Sequence, residues 1–437
     1  MEFKVNPGGS VTGSLRVPGD KSMSHRSIMF GALANGVTHV KGFLEGEDAL
    51  ATLAAFRAMG VSVDGPNNGE LTIYGVGLNG LKQPAGPLDL GNSGTAMRLM
   101  AGLMAGQTFP VTLVGDESLS KRPMGRVADP LRLMGVDIET EAGGCPPLKI
   151  NGCGKVNAIH YDMPMASAQV KSCVLLAGLY AEGETSTTEP APTRDHTERM
   201  LKGFGYPVRV EGSTAILTGR GRLAAMDIDV PADISSAAFF MVAATIAPKS
   251  DITLNHVGMN PTRIGVINIL QQMGADITIK NERDVGGEPV ADIRVKSSLL
   301  HGIHIPEEQV PLAIDEFPVL FIAASCAKGT TTLTGAEELR VKESDRIQVM
   351  VDGLQSLGVD IEGTDDGAVI VGNAAADVFS GGRVASHHDH RIAMSFAVAA
   401  LRASAPIFIE GCDTVATSFP NFVELASAAG LDIQVNA

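Results

Sequence analysis

Met59-Gly60-Val61, Met134-Gly135-Val136, Phe204-Gly205-Tyr206, Met273-Gly274-Ala275, Leu357-Gly358-Val359 and Ala429-Gly430-Leu431 are six versions of one ending, a helix closed by Gly and followed by a strand. They recur roughly every 70–85 residues. Working back from each close gives the same order: a polar motif, a small-residue apolar helix, a strand and a second helix. Just before or at the start of the first helices stand Asp20-Lys21-Ser22, Gly91-Asn92-Ser93-Gly94-Thr95, Ser167-Ala168-Gln169, Asp233-Ile234-Ser235, Asp315-Glu316 and Asp389-His390-Arg391. Helix starts carry unpaired N–H groups and the positive end of the peptide dipole. Repeats stacked in one orientation would gather them into an anion-binding surface.

The chain has 437 residues, too many for one compact core, so the six units divide into two domains of three. The first helices, such as Ala96-Met97-Arg98-Leu99-Met100-Ala101-Gly102-Leu103 and Ala237–Ala244, are apolar on every side and must be surrounded by protein. The second helices, such as Thr262–Leu270 and Ser344–Met350, are amphipathic. This pattern predicts a mixed α/β fold with helices inside and sheets outside, an inside-out α/β barrel in each of two domains, built from βαβαββ-type repeats. The sixth unit ends a strand short, while residues 1–18 form a strand-like segment that belongs to no unit. The N-terminal segment is therefore expected to complete the C-terminal half. That places domain one at 20–231 and domain two at 1–19 plus 232–437, with a double crossover near 18–20 and 230–233, and a hinged cleft between them.

Composition excludes several classes. The 34 Lys and Arg against 49 Asp and Glu, a formal charge of -15, argue against a surface that grips nucleic acid or acidic lipid. The lack of Trp, with only four Tyr, removes the aromatic platforms of a single-strand binder. No apolar run reaches the ~20 residues that span a bilayer, and the start Met1-Glu2-Phe3-Lys4 carries no secretory pattern, so no membrane partner and a cytoplasmic location are expected. Five cysteines without paired spacing read as reduced thiols; Cys145 and Cys153 flank a Pro/Gly-rich loop without a second pair.

Several motifs have bland readings. Gly75-Val76-Gly77-Leu78-Asn79-Gly80 matches a dinucleotide fingerprint, but Pro84 and Pro87 follow where a helix should begin, so it reads as a turn. Three His within His387-His388-Asp389-His390 cannot all turn inward from one helix, which weakens a metal reading. Other motifs resist such treatment. In Asp20-Lys21-Ser22-Met23-Ser24-His25-Arg26 capping explains Asp20 or Ser22, but not cations placed against a positive dipole end unless an anion is bound there. The same holds for Ser120-Lys121-Arg122-Pro123, Arg194-Asp195-His196 and Leu339-Arg340-Val341-Lys342-Glu343-Ser344-Asp345-Arg346. Gly91-Asn92-Ser93-Gly94-Thr95 offers successive N–H groups, a carboxylate or phosphate cradle.

Together with Asp389-His390-Arg391 these motifs, in this order, closely resemble the 5-enolpyruvylshikimate-3-phosphate synthase family from about residue 5 to the C-terminus. The resemblance implies transfer of the enolpyruvyl group of phosphoenolpyruvate to the 5-hydroxyl of shikimate 3-phosphate, with release of phosphate, on the route to chorismate. It implies two domains closing over the substrates, a monomer, and no metal or organic cofactor. By resemblance Lys21 contacts both substrates. Ser22, Arg26, Ser167, Ala168, Gln169 and Arg194 match the shikimate 3-phosphate ligands, and Gly94, Arg122, Gln169, Arg346 and Arg391 the phosphoenolpyruvate ligands. Lys342 lies between the two sets. Asp315 resembles the base for the 5-hydroxyl and Glu343 the acid for the methylene carbon, a pair of roles that addition across an enol ether requires.

Two features depart from many members: Ser167-Ala168-Gln169 has Ala where they have Ser, and Ser418, before Phe419-Pro420, stands where they have Lys. Both look like the branch that includes glyphosate-tolerant enzymes, whereas Gly94 is the small residue that leaves room for glyphosate as an inhibitor. The related transferase acting on UDP-N-acetylglucosamine places a Cys in the loop that here reads Gly115–Pro123 without one. A non-enzymatic clamp would spread its cations along helix faces instead of gathering them at helix starts.

Overall fold

A computed structural model describes residues 1–152, 154–285 and 287–436. Cys153 lies outside the described residues. Among the described residues, twelve α-helices alternate between two roles. The first helix of each repeat, α1 (Lys21–Leu33), α3 (Gly94–Ala105), α5 (Ala168–Gly178), α7 (Ile234–Ile246), α9 (Phe317–Ser325) and α11 (His390–Ala399), is buried along most or all of its length. The second helices, α2 (Glu47–Ala58), α4 (Gly125–Leu133), α6 (His196–Gly203), α8 (Gly265–Gln272), α10 (Arg346–Ser356) and α12 (Phe422–Ala429), keep one exposed face. Strands bury alternate residues, as in Val111–Val114, so the six small sheets among the described residues are half covered by the helices they flank.

All six closing glycines have positive φ, from +74° at Gly205 to +120° at Gly430. In every case the next N–H reaches back to a carbonyl in the helix's last turn, for example Val61 to Phe56 at 3.1 Å and Val359 to Leu354 at 3.0 Å. The Gly is needed because other residues are strained there.

The chain divides into two compact units, one of Gly19–Val230 with Val285–Glu288, the other of Met1–Pro18, Pro231–Asp284 and the chain from Pro289 on. Nothing in the sequence motifs marked the 285–288 excursion. Each unit has its own apolar core. The N-terminal segment completes the C-terminal unit twice. Glu2–Val5 pairs antiparallel with both Ile407–Glu410 and Ile433–Asn436, filling the short sixth repeat. Thr12–Leu15 runs parallel to Asp251–Leu254 and completes the fourth.

Two helix starts differ from expectation. Asn260 Oδ1 accepts from the N–H of Thr262 at 2.9 Å, a side-chain turn that delays α8 to Gly265. Asp345 accepts from the N–H of Gln348 at 3.0 Å and so caps α10, leaving Ser344 outside it. Gly75–Gly80 ends a strand and turns, and no helix follows it.

Candidate functional site

In the N-terminal unit, the starts of α1, α3 and α5 are capped by Asp20, Ser93 and Ser167, whose side chains accept from the N–H groups of Met23, Ala96 and Val170. These caps point the first turns' remaining N–H groups along the helix axes. Lys21 opens α1 and forms an ion pair with the buried Asp48. Arg26 lies one turn further in, 4% exposed. Its Nε donates to Thr197 Oγ1 at 2.8 Å, Nη2 to Ser172 Oγ at 3.1 Å and Nη1 to the carbonyl of Ser22 at 2.9 Å. Burial lowers its pKa to about 10, against the pull of Glu198, Asp20 and Glu288, and Arg194 adds to the lowering. Arg26 and Arg194 therefore share one electrostatic neighbourhood.

Arg122 donates to Asn92 Oδ1 at 2.6 Å and to Ser118 at 3.2 Å, which turns it toward the Gly91–Thr95 loop. Its neighbour Lys121 is exposed and pairs with Glu117, a solvated face. Gln169, next to Ala168 in the first turn of α5, is clamped at both ends: Arg98 Nη1 donates to its Oε1 at 2.5 Å, and its Nε2 donates to Thr95 Oγ1 at 2.9 Å. A Cβ on Gly94 would lie 3.0 Å from Arg98 Nη1 and 3.4 Å from Arg122 Nη1. Arg98, Asp48, Thr197 and Lys171 were not singled out in the sequence. Arg98 stands one helical turn after Gly94, a spacing that places it under the same cradle.

In the C-terminal unit, Arg346 is 1% exposed and central. Its Nε donates to Asp389 Oδ2 at 2.8 Å, its Nη1 to Asp315 Oδ1 at 3.2 Å and its Nη2 to Glu343 Oε2 at 2.7 Å. Burial alone would lower its pKa, but Asp389, Glu343 and Asp315 outweigh that and hold it above the ordinary arginine value. Lys342 Nζ lies 3.7 Å from Asp315 and 3.5 Å from Glu338. Arg391 donates to the carbonyl of Asp315 at 3.2 Å and lies 3.7 Å from Glu316. Glu316 is bonded in turn by Ser235, which accepts from Arg263 at 2.6 Å. Asp389 also caps α11, so the acidic member of the histidine cluster is engaged by Arg346 and a helix start. Ser418 follows the turn Cys412–Thr417, its N–H directed to Val415 O at 3.3 Å.

The N-terminal unit thus presents cations and helix N–H groups suited to phosphate and carboxylate, and the C-terminal unit presents two carboxylates, Asp315 and Glu343, on one buried guanidinium. The family model for EPSP synthase (3-phosphoshikimate 1-carboxyvinyltransferase) matches residues 5–425. A 3-phosphoshikimate 1-carboxyvinyltransferase of Methylococcus capsulatus is 65% identical over 434 residues, 99% of this chain and 98% of its own. One of Alkalilimnicola ehrlichii is 66% identical over 431 residues, 99% of this chain and 96% of its own. Among solved structures, an EPSP synthase from Acinetobacter baumannii is 62% identical with a TM-score of 0.92, each chain covered completely.

Proposed function

Because the chain belongs to the EPSP synthase family, we propose a division of its chemistry between the two units of the fold. The enzyme transfers the enolpyruvyl group of phosphoenolpyruvate to the 5-hydroxyl of shikimate 3-phosphate and releases phosphate, in aromatic biosynthesis. Lys21, Ser22, Arg26, Ser167, Ala168, Gln169, Arg194, Asp315 and Lys342 bind shikimate 3-phosphate. Arg122, Arg346 and Arg391 hold the anionic groups of phosphoenolpyruvate, with Lys21, Gly94 and Gln169. Their main contribution is to align two mutually repelling anions and to stabilise the departing phosphate.

Asp315 takes the proton of the 5-hydroxyl, whose oxygen attacks C2 of phosphoenolpyruvate, while Glu343 delivers a proton to C3. The resulting tetrahedral intermediate loses a proton from the new methyl group and expels phosphate, so the double bond is restored. The observation that carries this reading is the shared contact of Arg346 with both carboxylates. An anionic group of phosphoenolpyruvate that takes up Arg346 competes with Glu343, relieving its ion pair and letting it hold the proton it must deliver. A monomer in the cytoplasm is the reading carried over from the family resemblance; separately, no described helix is long and apolar enough to cross a membrane.

Mixing the protein with both substrates should release phosphate stoichiometrically with product. Asp315→Ala and Glu343→Ala should each lower kcat by at least about a hundredfold, the scale of a lost acid or base, while the protein stays folded. Normal turnover in both variants would overturn the assignment.

A further inference from the structure

Arg26 and Arg346 are both buried, yet among the described residues the hydrogen bonds of Arg26 reach no carboxylate: two of its three acceptors are hydroxyls and the third is a backbone carbonyl. We propose that Thr197 is a positioning residue for Arg26, a neutral acceptor that fixes the guanidinium plane and leaves its charge for the anionic substrate. This rests on the reading of Arg26 as a shikimate 3-phosphate ligand.

The geometry is over-determined. The acceptors come from α1 itself, from α5 through Ser172 and from α6 through Thr197, one on each guanidinium nitrogen. A planar group held at all three nitrogens cannot rotate, and with three of its five N–H groups so used, two remain for a ligand. Thr197 binds Nε, the atom that sets the plane relative to the side-chain stem. Its hydroxyl is also 2.7 Å from that of Ser172, so the two support each other. The residues beside them form a buried ion-pair link between the helices: Lys171, next to Ser172, lies 2.8 Å from Glu198, next to Thr197, and 3.0 Å from Glu189. That link fixes the spacing of the two hydroxyls. A carboxylate at 197 would orient the arginine equally well but would cancel its charge, as Asp389 does for Arg346.

The test is calorimetric titration of the full-length enzyme with shikimate 3-phosphate, together with steady-state kinetics. Thr197→Val keeps the shape and removes the acceptor. It should weaken shikimate 3-phosphate binding roughly tenfold, with the KM for phosphoenolpyruvate and kcat within about twofold of the parent. Thr197→Ser, which restores the hydroxyl, should recover most of the affinity, and Thr197→Asp should lose more than Thr197→Val. Parent-like affinity in Thr197→Val overturns the proposal, as does failure of Thr197→Ser to recover it. Equal losses for both substrates would mark a merely structural role and also overturn it. Arg26→Ala separates the two readings: if it leaves shikimate 3-phosphate affinity unchanged, the assignment of Arg26 as ligand fails. If it weakens binding while Thr197→Val does not, the positioning role alone fails.

Discussion

Arg26, one turn inside the first helix α1 of the N-terminal unit, and Arg346, opening the second helix α10 of the C-terminal unit, are two buried arginines in halves built from the same repeat. They are 4% and 1% exposed, so burial does not distinguish them. Their partners do. Arg26 is held by hydroxyls and a carbonyl and its pKa falls to about 10, whereas Arg346 is held by Asp389, Asp315 and Glu343 and its pKa rises. The difference extends to their neighbours: Arg122 donates to the Asn92 amide and the Ser118 hydroxyl, while Arg263 and Arg391 lie against Asp233 and Glu316. A cation held by neutral acceptors keeps its field for a ligand. One held by carboxylates organises those carboxylates instead, which suits the acid–base chemistry proposed for that unit.

The sharpest way to break this contrast is to remove each arginine's charge while keeping its bulk. Arg346→Met would strand Asp389, which is fully buried, beside two further carboxylates, and should cost about 3–5 kcal/mol of stability. Arg26→Met would leave Thr197 and Ser172 bonded to each other and should cost about 1 kcal/mol. Urea unfolding followed by circular dichroism measures both, and equal losses would show that the two environments do not differ in kind.

A second expectation concerns His25, on α1 between Lys21 and Arg26. It is fully buried, its Nδ1 2.8 Å from Thr52 Oγ1, and burial lowers its pKa from 6.5 to about 3. The unfolded chain therefore binds a proton that the folded one refuses. Stability from this site is complete above pH 6.5 and is lost as pH falls toward 3, by about 2 kcal/mol between pH 6.5 and 5. His25→Gln should remove that part of the slope in unfolding curves taken at both pH values. An unchanged slope would mean that His25 accepts its proton in the folded protein.

How much of this was legible beforehand depends on the length scale of the cause. The six closes, the buried first helices and the completion of the sixth repeat by residues 1–18 are local or periodic, and each is present in the structure. The helix starts also showed which cations to examine, including Arg122 in preference to nothing but its context: adjacent Lys121 proved to be solvent-facing. What the motifs did not show were the partners. Thr197 and Ser172 lie 171 and 146 residues from Arg26, and Asp389 lies 43 from Arg346, separations across which only the fold brings side chains together. Periodicity carries no information about which residue of a distant repeat faces which.

The contrast can be sharpened within the N-terminal unit by a single methyl group. In Gly94→Ala the new Cβ would crowd Arg98 Nη1 at 3.0 Å and Arg122 Nη1 at 3.4 Å, the two guanidinium groups that flank the Gly91–Thr95 cradle. Phosphoenolpyruvate KM should rise several-fold, about 1 kcal/mol of binding, and inhibition by glyphosate should weaken by at least as much. An unchanged inhibition constant in the purified variant would refute this.

The smallest effect tests what the two units share. At Gly205 in the N-terminal unit and Gly358 in the C-terminal unit, an added Cβ meets nothing closer than 3.7 Å and 3.9 Å, so Gly→Ala there strains only the backbone. Both φ values are in the left-handed region, +74° and +87°, and each substitution should cost about 1 kcal/mol, the same in both halves. Gly430 is the built-in control. Its Cβ would fall 2.1 Å from the carbonyl oxygen of Ser10, on the N-terminal segment that completes the last repeat, so Gly430→Ala should cost clearly more. If instead Gly205→Ala and Gly358→Ala differ as widely as the arginine pair, the halves differ in backbone as well as in charge, and the neutral and acidic arginine environments could no longer be attributed to side chains placed on one common frame.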